Sequence, residues 1–135
     1  MATVTKIEDL QIWQMAREQC KEIYKITGYT NFAKDTRFVQ QIRSASGSVM
    51  DNIAEGFART GNKEFLQFLS TAKGSCAEVQ SQLYRAFDAN FISDKEFKTL
   101  YDFNTKLSCM IYNLMTSLKK SDYKGNKYAQ NTEQP

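Results

Sequence analysis

Between Phe65 and Ala86 the apolar and small residues fall at Phe65, Leu69, Ala72, Cys76, Val79, Leu83 and Ala86, in alternating steps of four and three. A half-buried strand needs a period of two. A mean of 3.5 is the period of an α-helix that lays one stripe against its neighbours. The pattern recurs three more times. From about Glu8 to Thr27 the stripe is Trp13, Ala16, Cys20, Ile23 and Thr27. A second helix, starting between Asn31 and Asp35, carries Val39, Ile42, Ser46, Val49, Ile53 and Gly56. A fourth carries Phe97, Leu100, Asn104, Leu107, Ile111, Leu114 and Leu118. The chain holds 6 Gly and one Pro, Pro135, so little interrupts these segments.

Four amphipathic helices with short connections pack as sequential antiparallel neighbours, crossing at roughly 20°. The expected fold is therefore all-α, an up-down-up-down antiparallel four-helix bundle over residues 1–120. From Ser121 the polar, aperiodic SDYKGNKYAQNTEQP is expected to be a flexible tail, 121–135. A chain of 135 residues hides roughly two thirds of its unfolded surface, enough for one core.

Local signals refine the boundaries. Gly28 is expected to end the first helix with a positive φ. Ser93-Asp94-Lys95-Glu96 reads as a capping box, with Ile92 and Phe97 placed to form a hydrophobic staple. A glycine inside a helix costs about 1 kcal/mol against alanine, so Gly47 and Gly74 suggest close approach of a neighbour. Phe32, Phe38, Phe57, Phe68, Phe87, Phe91, Tyr101 and Phe103 lie off the stripes. So much additional apolar surface implies a subunit interface.

Chemistry is sparse. The absence of His removes the commonest general base and metal ligand. The di-iron Glu-x-x-His pattern, zinc spacing, P-loops and dinucleotide fingerprints are missing too. Cys20, Cys76 and Cys109 are too scattered for a disulfide framework and suit reduced thiols in the cytoplasm. The N-terminus lacks a signal-peptide pattern, and no apolar run is long enough to span a membrane. We expect no enzyme, no cofactor, no metal and no membrane partner.

Two sets of polar residues remain. Arg43, Asn52, Glu55, Arg59, Glu78 and Gln82 are expected to form a structural polar network at a core edge or subunit interface, since buried carboxylates need partners. Arg17, Lys21, Lys25, Arg59, Lys63 and Lys73 are candidate nucleic-acid contacts. Glu18 and Glu22 stand beside the first three and offer local ion pairs. The net charge of +3 is mild for a nucleic-acid binder.

Gln41–Arg43, NIAEG at Asn52–Gly56, Arg59 and EFLQFLSTAKGSCAEVQSQL at Glu64–Leu83 resemble the bacterial 23S rRNA intervening-sequence proteins. Asp9–Ala16 and Ile23–Thr27 fit the same pattern. The resemblance spans Asp9 to Leu118. It implies a four-helix bundle assembled as a homopentamer, and a link to RNA. Members of this family are encoded within 23S rRNA genes. A related branch is the accessory variability determinant of diversity-generating retroelements, which binds nucleic acid and a reverse transcriptase. The chain departs from the family pattern at Thr30-Asn31, Ser44, Val49-Met50, Thr60 and Gly61, and two of those changes lose basic residues. The expected function is a non-catalytic, oligomeric, RNA- or DNA-associated scaffold. The alternative is an interaction module for a protein partner, with no nucleic-acid role.

Overall fold

Helix periodicity and sparse breakers produce five helices in the computed structural model, which describes residues 4–128, with side chains as far as Ser121. After a 3₁₀ turn at Ile7–Asp9 come α1 (Gln11–Thr27), α2 (Thr30–Lys34), α3 (Thr36–Ala58), α4 (Asn62–Asp88) and α5 (Asp94–Tyr128). The described residues contain no strand. The backbone of α5 runs on past Lys120 to Tyr128, and the rest of the expected tail, 129–135, lies outside the described residues.

The four long helices pair around a ring in the order α1, α3, α4, α5. Their antiparallel sense shows in the core. One cluster joins Ile23 and Ile26 late in α1 to Phe38 and Ile42 early in α3, Val79 and Leu83 late in α4, and Leu100 early in α5. The other joins Ile12 and Ala16 to Val49 and Ile53, Leu69 and Ala72, and Leu107 and Ile111. The fold is the expected up-down-up-down bundle. On α1 the buried line is Ile12, Ala16, Gln19, Ile23 and Ile26, while Trp13 and Cys20 are only half-buried. The stripe is turned because α1 packs on both α3 and α5.

Between the core layers runs a chain of buried amides. Gln19 donates from Nε2 to Asn104 Oδ1 at 2.8 Å, and Asn104 donates from Nδ2 to the Cys76 carbonyl at 2.9 Å. This ties α1, α5 and α4 together at one height.

Helix ends follow local chemistry. Asp35 caps α3, its carboxylate accepting from the Phe38 amide at 3.2 Å. At α5 the capping box forms: the Ser93 amide donates to Glu96 Oε1 at 2.8 Å, and the Glu96 amide donates to Ser93 Oγ at 3.1 Å. Ile92 and Phe97 pack in the same cluster, as a staple requires. Gly28 instead keeps φ at −85°. The chain there enters α2 directly and needs no left-handed residue. That conformation falls to Asn90, with φ of 62°, after α4. The Phe91 amide reaches the Ala86 carbonyl at 2.9 Å and the Asn90 amide reaches that of Phe87 at 3.0 Å, a Schellman closure.

Two packing expectations are corrected. Phe32, Phe38 and Phe91 are not interface residues in waiting. Phe32 is fully buried and stacks on Phe38 and Phe91, with centroids 5.3 and 4.8 Å away. The one-turn α2, unforeseen from the sequence, folds Phe32 inward to meet them. Nor do Gly47 and Gly74 mark close approach: an added Cβ would meet nothing within 4 Å at either. The tight contact is at Gly56, where it would lie 2.7 Å from Phe68 Cβ and 2.9 Å from Phe65 Cδ1.

Candidate nucleic-acid interface

Helix α3 buries Ile42, Ala45, Ser46, Val49 and Ile53 and turns Gln40, Ser44, Gly47 and Ser48 outward. The outward face is small and polar, so the helices beside it stand above it as walls. Two shallow grooves result, of about 650 Å³ towards α4 and about 640 Å³ towards α1. Gln40, Ser44 and Ser48 line both and form the ridge between them.

Three arginines border this face. Arg37 and Arg85 line the α4 side, and Arg43 lines the α1 side. Arg43 lies over the Tyr24 ring, with Cζ 4.2 Å from the centroid, and donates from Nε to Thr27 Oγ1 at 2.9 Å. Arg85 lies over Phe38 at 4.2 Å and donates to Gln41 Oε1 at 3.4 Å. Aromatic stacking holds each guanidinium plane without neutralising it. Among the described residues no carboxylate stands within ion-pair distance of Arg37, Arg43 or Arg85. Gln82 lies at the floor of the α4 groove, 8% exposed. Its Nε2 reaches the Gln41 carbonyl at 3.5 Å, and its Oε1 has no protein partner. One carboxylate also lines each groove, Glu78 on the α4 side and Asp51 on the α1 side, so the site offers an anionic polymer three fixed cations and amide groups against two anions.

Of the six residues expected to share a polar network, only Glu55 and Arg59 meet within one chain, and the others hold separate partners or none. Asn52 donates to the carbonyl and hydroxyl of Ser48, at 2.8 and 3.0 Å, and the Ser48 hydroxyl meets that of Ser75 at 2.7 Å. Glu55 and Arg59 pair at 2.8 Å on the surface, with Glu64 3.7 Å from Arg59 on its other side. Arg43 turns to α1, Gln82 to the α3 backbone, and Glu78 stays exposed on the α4 groove.

The six candidate nucleic-acid residues are also dispersed. Arg17, Lys21 and Lys25 are on α1, and Lys63 and Lys73 are on α4, diagonally across the ring. Lys21 pairs with Glu18 at 3.5 Å. Arg59 is shared between two carboxylates and lies 5.0 Å over Phe68. Arg17 stands 5.9 Å over Trp13, and Lys73 5.9 Å over Tyr112. Sequence reasoning passed over Arg37 and Arg85. The polar spacing of Arg37, Gln40, Ser44 and Ser48, steps of three and four, held the signal.

Other chemistry finds little footing. Among the described residues no three His, Cys, Asp or Glu side chains are grouped to hold a metal ion. Burial pushes the Cys20 thiol up from its ordinary value, and pushes Cys76 to about 12. Both are poor nucleophiles. No helix among the described residues is long and apolar enough to cross a membrane.

Comparison with known proteins agrees with the architecture. A crystal structure of a protein of unknown function from the S23 ribosomal protein family of Bacteroides thetaiotaomicron VPI-5482 superposes with a TM-score of 0.70. The match covers 77% of this chain and 97% of that one, at 18% identity, and bears on the fold alone. No curated protein matches significantly. The family described as 23S rRNA-intervening sequence protein matches residues 8–113, most of the bundle, and the chain belongs to that family.

Proposed function

We propose that the protein is a non-catalytic, cytoplasmic scaffold that associates with RNA through the outer face of α3. It works as a homo-oligomer, a pentamer by family resemblance. The observation that carries this reading is the pair of stacked guanidiniums, Arg43 on Tyr24 and Arg85 on Phe38, with no carboxylate within ion-pair distance of either. A paired surface cation has little field left for phosphate, whereas a free one displaces counterions from it. Repetition around an oligomer multiplies a weak contact through effective concentration. The clusters at Arg17, Lys21 and Lys25 and at Arg59, Lys63 and Lys73 serve as secondary contacts, because Lys21 and Arg59 already hold carboxylates.

Fluorescence anisotropy with a structured RNA at two salt concentrations tests the reading. Arg37→Glu combined with Arg85→Glu should weaken binding more than Arg59→Glu combined with Lys63→Glu. No binding by the wild type at low salt would transfer the assignment to a protein-interaction module. The exposed tyrosines Tyr24, Tyr84 and Tyr112 would then be the first surfaces to probe.

A further inference from the structure

Away from the α3 face, α1 and α5 leave a groove of about 370 Å³ between them. Its floor is apolar: Ile26 and Leu100 are buried and Phe103 is half-buried. Gln19 forms part of its wall and is 2% exposed. The Nε2 of Gln19 is spent on Asn104, and its Oε1 has no protein partner. A buried acceptor left in that state is costly, so a ligand that supplies a donor recovers stability. One turn along the same face stands Glu22, half-buried and, among the described residues, without a cation in ion-pair range.

The remaining charges of the groove are already engaged or solvated. Glu96 accepts from the Ser93 amide at 2.8 Å and the Tyr29 hydroxyl at 2.5 Å. Glu18 holds Lys21. Lys25 and Lys95 are exposed at the rim. Water screens those two ammoniums, while Gln19 Oε1 and Glu22 sit deeper, where an unmet acceptor discriminates more strongly. The volume is in the range of small-molecule sites.

We propose that this groove binds a small organic cation, an ammonium on an apolar carbon body. The ammonium donates to Gln19 Oε1 and Glu22, and the carbon body covers Ile26, Leu100 and Phe103. Three donors on one nitrogen can serve two acceptors that stand three residues apart on one helix. The site is independent of the α3 face and of the proposed RNA role.

Isothermal titration calorimetry of the full oligomeric protein with 2-phenylethylamine tests it, with 2-phenylethanol as the uncharged counterpart. The expected result is saturable binding of the amine, one per chain, with no comparable binding of the alcohol. Glu22→Gln should weaken the amine by about tenfold, as loss of a charge-assisted bond does. Glu64→Gln, an equal charge change at the other end of the bundle, should leave it unchanged. Absence of saturable binding at millimolar amine, equal affinity for the alcohol, or equal weakening by both variants would each overturn the proposal. The comparison of amine with alcohol stands on the wild type alone, whatever the variants do to folding.

Discussion

Tyr29 donates its hydroxyl proton to Glu96 Oε2 across 2.5 Å, joining the start of α2 to the first turn of α5. The Ser93 amide, and after it Tyr29, holds the Glu96 carboxyl below its ordinary value. The hydrogen bond to Glu96 in turn raises Tyr29. A depressed carboxyl stabilises the fold above its unfolded pKa and loses that stability as pH falls through the folded one. A raised phenol stabilises below its unfolded pKa and loses that stability as pH rises through the folded one. Urea melts should therefore show wild type losing more stability than Glu96→Gln between about pH 5 and 3. Tyr29→Phe should cost about 1 kcal/mol at neutral pH.

Glycine positions separate by what surrounds them. Gly56→Ala places a methyl 2.7 Å from Phe68 Cβ, which only a shift of α3 from α4 relieves. It should cost about 1–3 kcal/mol. Gly74→Ala meets open space on an exposed helix face and should gain about 0.5–1 kcal/mol. Thermal melts of the two variants should move in opposite directions.

Asn104 is 1% exposed and holds partners on two other helices. Asn104→Ala strands the Gln19 amide and leaves a void. The expected loss is about 2–4 kcal/mol, read by denaturant midpoint.

Thiol reactivity should rank by burial. Cys76 is 1% exposed and its thiol is pushed up to about 12, while Cys109 is exposed. Iodoacetamide at neutral pH should label Cys109 first, and Cys76 only after unfolding, as peptide mass spectrometry would report.

For the RNA reading, log affinity against log salt should flatten when Arg37 and Arg85 are replaced by Glu. Each lost phosphate contact lowers the slope by about 0.7–0.9. An unchanged slope would place the contacts elsewhere.

The bundle was legible because stripes such as Leu69, Ala72, Cys76, Val79 and Leu83 are a one-dimensional record of a packed face. The capping box was legible for a similar reason, since Ser93 and Glu96 act within one turn. What escaped depended on distant chain. Whether Phe32 faces a partner or Phe91 depends on α2 and the α4–α5 turn arriving at one place. Whether Gly28 or Asn90 takes the left-handed turn depends on what the chain must do next. At the α3 face, Arg43 and Arg85 gain their roles from rings on other helices, Tyr24 and Phe38. No local spacing encodes that meeting.

The stacked Phe32, Phe38 and Phe91 also give the molecule a polarity of motion. Two of the three connections between its long helices, 28–35 and 89–93, are sealed at that pole by one aromatic plug. The opposite pole has the single connection 59–61. Breathing of the helices should therefore pivot at the phenylalanines and splay at the far pole, so amide protons around Ile53 and Leu69 should exchange with solvent before those around Ile42 and Leu83.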